Sequence, residues 1–316
     1  MSKKRIRKPT ITQQIMSLAI EKLKKYEHDV TRKSYIRQVK LYIKFCREHF
    51  DARTFDECKK HLQAYSDYLQ MQNYTASTIH TYLASACAVF EINLSTIQKP
   101  IRHVADYTRG RNTNKDSKND LDNPKWARIV EYLRRVGIRR DELKRLKGKD
   151  LELDESGYLC VVVRKGKGGK MQFQRILEKD IDFVKSYFCA VGEDEYIFDR
   201  EYFDNDLNLH SLRAVSTKEF YYEQLMRIKE NPGYAEKLEQ EIRARWNKMN
   251  LTKKGTPKKF KECELLGTYT LRGKNRALAI AKGLSVHYDK RALLATSIFK
   301  LAHWRNDVTI ASYLLA

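Results

Sequence analysis

The chain lacks a long apolar run. None of its stretches approaches the ~18 consecutive apolar residues of a membrane-spanning helix, which excludes a helical span. Its basic N-terminus, Met1 to Pro9, has no apolar core behind it and does not read as a secretory signal. The six cysteines, Cys46, Cys58, Cys87, Cys160, Cys189 and Cys263, form no C-x-x-C pair. No cysteine–histidine cluster has zinc spacing, so the expectation is no metal, and buried, reduced thiols in a cytoplasmic protein. Acidic residues are in deficit: 40 Asp and Glu stand against 62 Lys and Arg, a formal net charge of +22. Such a balance implies an acidic partner, either nucleic acid or an anionic surface. What is present suffices for real cores. Hydrophobic residues make up 42% of 316 positions, which argues against disorder, and the length suggests two domains.

The first hundred residues read as helical. Tyr35, Val39, Tyr42, Ile43 and Cys46 share one helix face. Phe55, Cys58, Leu62, Tyr65 and Leu69 repeat the pattern, as do Ile79, Tyr82, Leu83, Ala86 and Phe90 behind the capping candidates Thr75 and Ser77. An earlier helix carries Ile15, Leu18, Ala19 and Leu23. Opposite these faces stand Arg32, Lys33, Arg37, Lys40, Lys44 and Arg47. A charged face is usually only solvated, but its single sign favours a phosphate backbone.

Periodicity breaks from about 100 to 122, a polar stretch that carries Arg109 and Arg111 and reads as a linker able to lie along DNA. Trp126 to Leu133 then suggests a helix, and Asp141 to Leu151 another. Tyr158 to Val163 and Met171 to Leu177 read as β-strands around the turn Arg164 to Lys170. Helical patterns resume after about 178. The expected fold is mainly α with a small β-sheet (α+β). The expected domains are a helical one at 1–105, a linker at 106–121 and a mixed α/β one at 122–316.

Five local features follow in order: Gly137-Ile138-Arg139-Arg140-Asp141-Glu142-Leu143, Gly166-Lys167-Gly168-Gly169-Lys170, His210-Ser211-Leu212-Arg213, Leu301-Ala302-His303 and Thr309-Ile310-Ala311-Ser312-Tyr313. Each alone is a common pattern. Together they resemble the tyrosine recombinase (phage integrase) family, whose motifs G-[LI]-R-x-x-E-L, G-K-G-x-K, H-x-L-R, L-[GA]-H and T-x-x-x-Y they match in sequence. The resemblance extends to Arg32-Lys33-Ser34-Tyr35 and Tyr74 to Ile79, and covers about residues 10–215 and 290–316.

The resemblance implies a helical core-binding domain and a catalytic domain that clamp duplex DNA. It implies Tyr313 as the nucleophile forming a 3′-phosphotyrosyl bond, Arg139, Arg213 and His303 around the phosphate, and Lys167 as general acid. His210 would orient the phosphate or assist Tyr313, and Glu142 would hold a catalytic Arg or His. The chemistry suits these residue types. Metal-free cleavage of a phosphodiester needs a nucleophile, an acid for the leaving oxygen and fixed positive charge. Arginine forks match phosphate geometry and keep their charge. A phenol, with an unperturbed pKa of about 10, both attacks and leaves, so religation needs no ATP. No cofactor is expected. Arg140 adjoins Arg139 as a competitor for its role, and the register of Lys165, Lys167 and Lys170 at the turn is open by a residue or two.

The implied partners are double-stranded DNA and three further copies, a homo-tetramer on DNA, with an accessory directionality protein and no membrane. The implied setting is a cytoplasmic, nucleoid-associated protein of a mobile element. DNA contact is expected of Arg32, Lys33, Arg37, Lys40, Lys44, Arg109, Arg111, Lys165, Lys170, Lys253, Lys254, Lys258 and Lys259. Competing readings are a non-catalytic DNA-binding regulator on the same scaffold, a resolvase, telomere-resolving enzyme or type IB topoisomerase of the same chemistry, and a metal-dependent nuclease. The missing Asp/Glu cluster counts against the nuclease. One departure from the family stands out, a surplus at about 218–285. It reads either as a tolerated surface insertion or as an added DNA- or partner-contacting element, and its cations favour DNA. Trp304 and Tyr288 read as core or DNA-stacking residues, and His103 and His287 as structural or exposed.

Overall fold

The computed structural model describes residues 9–26, 29–103, 121–166, 169–203, 207–252 and 255–316. Lys167, Arg109, Arg111, Lys253 and Lys254 lie outside them. The chain divides into two compact units, Met1–Tyr107 and Thr108–Ala316. It is mainly helical with small antiparallel sheets, as expected. Among the described residues no helix is long and apolar enough to cross a membrane.

The first unit holds α1 (Ile11–Leu23), α2 (Asp29–Phe50), α3 (Phe55–Lys59), α4 (Leu62–Met71) and α5 (Ala76–Phe90). Thr10 and Gln13 close a capping box on α1, and the Thr75 hydroxyl caps α5. The apolar stripes meet in one core around the rings of Tyr42, Phe45, Tyr65 and Phe90, with centroids 5.0 to 5.4 Å apart for Tyr42–Tyr65, Phe45–Tyr65 and Tyr42–Phe90. The face predicted from Phe55 to Leu69 is split between α3 and α4, and Leu18 lies exposed, outside the core. Lys33, Arg37, Lys40 and Lys44 form an exposed stripe at helical spacing along α2, while Arg32 is half-buried.

The second unit begins with α6 (Ala127–Val136) and α7 (Arg140–Leu143), then the sheet β1 (Leu151–Leu153), β2 (Leu159–Val163) and β3 (Gln172–Arg175) in order β1-β2-β3. The predicted helix from Asp141 to Leu151 is only a short turn. Asp150 accepts from the Lys147 amide (2.9 Å) and from Arg164 Nε (2.6 Å), so its carboxylate closes a turn and ties it to the end of β2 instead. After α8 (Ile181–Cys189) come the long α9 (Leu209–Glu230) and α10 (Pro232–Met249), then β4 (Thr268–Thr270), α11 (Gly273–Ala281) and β5 (His287–Asp289). β4 pairs antiparallel with β5, Tyr269 opposite Tyr288. The chain ends with α12 (Lys290–Ala295), a π-helical turn at Thr296–Lys300, α13 (Asn306–Thr309) and a second π-helical turn at Ile310–Leu314.

The surplus segment is no surface appendage. Phe220, Leu238, Ile242, Leu265, Leu271 and Ala279 share one core with Tyr288, Ile298, Phe299, Ile310 and Leu314. Deleting it would expose that core. The cysteine expectation needs a correction as well: all six are free, and Cys46, Cys58, Cys87 and Cys160 are buried, but Cys189, at the end of α8, and Cys263, in the polar surplus segment, are exposed.

Candidate active site

Three backbone devices set the site. The first is the end of α6. Gly137 takes the left-handed conformation (φ 68°) that ends the helix, and a Cβ there would stand 2.8 Å from Ser216 Cβ. Its carbonyl can therefore approach α9 and accept from Arg213 Nη1 at 2.7 Å. Gly137→Ala should cost roughly 1–3 kcal/mol through strain and overpacking, read as a lower urea midpoint, and should displace Arg213. An unchanged midpoint would mean that the close approach is not maintained.

The second device is the start of α7. Arg139 is its N-cap, and Glu142, one turn on, reaches back to the Arg139 amide (3.0 Å) and to Arg139 Nη1 (2.6 Å). Glu142 is buried and also lies 3.8 Å from Arg213 Nη1, so one carboxylate joins two guanidinium groups. The third device is the pair of π-helical turns around His303. The chain leaves the first through Ala302 in the left-handed region (φ 56°), which turns His303 back so that its amide donates to Ser297 O at 2.8 Å. A non-glycine residue held there stores strain, which is found most often at functional sites. The second turn carries Tyr313; π-turns also concentrate at such sites.

Arg213 is fully buried (0% exposed). Its Nη2 donates to Leu301 O at 3.3 Å, and its Nε has no partner among the described residues. Burial draws the guanidinium below its ordinary value, and the neighbouring Tyr313 opposes that. The guanidinium carbon lies 5.8 Å from the centre of the Tyr313 ring. Tyr313 is itself 6% exposed and stands 5.8 Å, ring to ring, from the exposed His210. The Arg305 amide donates to His303 Nδ1 at 3.3 Å, which assigns the ring proton to Nε2. That Nε2 has no partner among the described residues. Burial, then the charges of Arg213 and Arg139, bring His303 down to about 4. It is a neutral donor at physiological pH, which an anion can accept from without a charge being buried first.

Arg139, Glu142, His210, Arg213, His303 and Tyr313 are thus gathered by the end of α6, α7 with its N-cap, the start of α9 and the segment from the first π-helical turn to the second. Arg140 is turned to other work: it donates to Phe203 O (3.2 Å) and Leu207 O (2.6 Å). Lys167 lies outside the described residues; Gly166 N donates to Lys170 O at 2.8 Å. Lys165, Lys170, Lys258 and Lys259 are exposed. Tyr288 is buried core, Trp304 is partly buried, and His287 is exposed beside Thr270. No group of three His, Cys, Asp or Glu among the described residues could hold a metal ion.

The sequence reading missed Lys300. It is 1% exposed and donates to Arg135 O, at the end of α6, at 2.7 Å. The signal was a lone cation in the otherwise uncharged stretch from Ala292 to Ala302.

No protein-family model matches this chain, and no curated protein matches it. Among solved structures it is similar to a crystal structure of XerA recombinase, at 18% identity over 66% of this chain and 84% of that one, with a TM-score of 0.22. At that TM-score the likeness carries no weight for function, which rests on the geometry.

Proposed function

We propose that the chain is a site-specific recombinase that cuts and rejoins duplex DNA through Tyr313, serving a mobile element. The observation that carries this reading is the convergence of two guanidinium groups joined by one buried carboxylate, with Tyr313 beside Arg213, His210 beside Tyr313, and the neutral donor His303 under the charges of both arginines. In the proposed step the Tyr313 oxygen attacks the scissile phosphorus while the bond to the 5′ oxygen breaks. Lys167 gives that oxygen its proton, and His210 takes the phenolic one. Arg139 and Arg213 balance the charge on the non-bridging oxygens, and His303 Nε2 donates to one of them. Glu142 holds both arginines in place before DNA arrives. The α2 stripe and Lys165, Lys170, Lys258 and Lys259 would hold phosphates along the duplex, so affinity should fall with salt. The active assembly would be a tetramer on two duplexes.

The test is a suicide DNA substrate incubated with the protein in EDTA. The expected product is a covalent protein–DNA adduct that Tyr313→Phe abolishes. EDTA sensitivity, or an adduct that survives Tyr313→Phe, would overturn the assignment. A second reading, a DNA-binding regulator, is favoured by one observation: Arg213 and Tyr313 are both buried. It predicts DNA binding with no adduct on any substrate.

A further inference from the structure

The surplus segment builds one wall of a cleft that the proposed chemistry does not use. The cleft measures about 460 Å³ and is lined by Trp246 of α10, Phe260, Tyr269 of β4 and Trp304, the residue after His303. That volume lies within the roughly 300–1,000 Å³ of small-ligand pockets. Trp246 meets Phe260 edge to face at 5.3 Å and Trp304 at 5.0 Å. All four rings are only partly buried. The exposed cations Lys259, Lys261 and Arg305 border them. Two carboxylates line the cleft too: Asp307 is paired with Arg305 at 2.8 Å, and Glu264 is exposed.

Asn306 shows what the cleft wants. It is 5% exposed, and its Nδ2 donates to Glu264 O at 3.2 Å, which fixes the orientation of its amide. Its Oδ1 has no partner among the described residues. A buried acceptor without a partner costs stability, so a donor brought to Asn306 is favoured. Aromatic faces, flanking cations and a single acceptor match a nucleobase with its phosphate. Every base carries an N–H donor on its Watson–Crick edge, and only an unpaired base leaves that edge free.

We infer that this cleft captures one unpaired nucleotide of the DNA, its base stacked on Trp304 or Trp246, its Watson–Crick edge donating to Asn306 Oδ1 and its phosphate beside Lys259 and Lys261. The inference rests on the proposed DNA substrate but not on cleavage. Trp304, Arg305 and Asn306 follow His303 directly, so the captured base belongs near the scissile phosphate. An acidic peptide or a second copy of the chain would cover the rings as well, but neither brings a phosphate to Lys259 and Lys261 together with a stacking face.

Binding is measured with the Tyr313→Phe protein, which removes cleavage from the readout. The probes are a fully paired duplex, the same duplex with one extra unpaired base, and that duplex with an abasic residue in its place. The base-bearing bulge should bind roughly tenfold tighter than either control, from stacking alone. A 2-aminopurine at the bulge should change its emission on binding. Asn306→Leu and Trp304→Ala should erase the preference, and Trp304→Phe should keep most of it, which separates loss of stacking from loss of folding. Equal affinity for bulged and abasic duplexes would overturn the inference even where the suicide-substrate adduct forms. A Trp304→Ala protein whose sedimentation changes while the bulge preference stays would assign the cleft to a second copy instead. A bulge preference without any adduct would leave the cleft standing and remove the cleavage reading.

Discussion

Arg213→Met should lower the stability of the second unit by about 3–5 kcal/mol, the usual cost of removing one partner from a buried ion pair. The side chain is fully buried, so its loss is not refilled by water. Three acceptors depend on it: the Gly137 carbonyl at 2.7 Å, the Leu301 carbonyl at 3.3 Å and, at 3.8 Å, the Glu142 carboxylate. Methionine fills much of the volume but donates to none of them. Glu142 keeps Arg139 at 2.6 Å, which holds the cost near that range rather than above it. The two carbonyls belong to the segments that carry Arg139 and His303, so the same loss loosens the phosphate site. Arg213→Lys retains charge without the planar fork and should recover only part of the stability. All three tryptophans, Trp126, Trp246 and Trp304, lie in the second unit. Tryptophan emission in a urea titration therefore follows that unit alone, which avoids averaging over two units that need not unfold together. A shift below about 1 kcal/mol at an unchanged slope would mean that Arg213 does not hold the site together.

The order of motifs was legible in the sequence because each occupies a single turn. Arg139 to Glu142 spans one helical turn, and His210 to Arg213 spans another, so spacing alone puts each pair on one side of the chain. The apolar stripes of α1, α2 and α5 were legible for the same reason, since 3.6-residue periodicity survives in exposed helices. What escaped was long-range. Nothing near Gly137 says that its carbonyl receives a side chain 76 residues on, and nothing near Lys300 says that it ends α6, 165 residues earlier. β4 and β5 escaped because their alternation, Thr-Tyr-Thr and His-Tyr-Asp, spans only three residues, too few to read as a strand. The surplus read as a possible appendage for a related reason. Its apolar positions, Leu238, Ile242, Leu265 and Leu271, are diluted by charge in sequence and concentrated only by folding.

Lys300 provides the second large effect. Burial, the first cause, brings its ammonium down from 10.5 to about 7, Asp180 opposing and the Arg213 charge adding to the fall. The folded value then lies below the unfolded one, so between pH 7 and 10.5 the unfolded chain binds more protons. Stability must rise with pH across that window, by up to about 1.4 kcal/mol per unit, and the cost of the buried charge is fully present below pH 7. Lys300→Met removes the charge with little change of volume. The Arg135 carbonyl does not lose its last donor, because Ser216 Oγ still gives it a hydrogen bond at 2.6 Å. The variant should therefore be more stable than the parent at pH 7, by roughly 2–4 kcal/mol once the lost hydrogen bond is subtracted. That advantage should shrink steadily and vanish only above about pH 10.5, where the parent lysine is neutral in both states. Taking the difference between the two proteins cancels the tyrosines, which titrate equally in both. Urea midpoints at pH 6, 7, 8 and 9 test this. A parent–variant difference that stays constant over that range would show that Lys300 keeps its charge when folded, held by Asp180 and the α6 carbonyl rather than surrendered to burial.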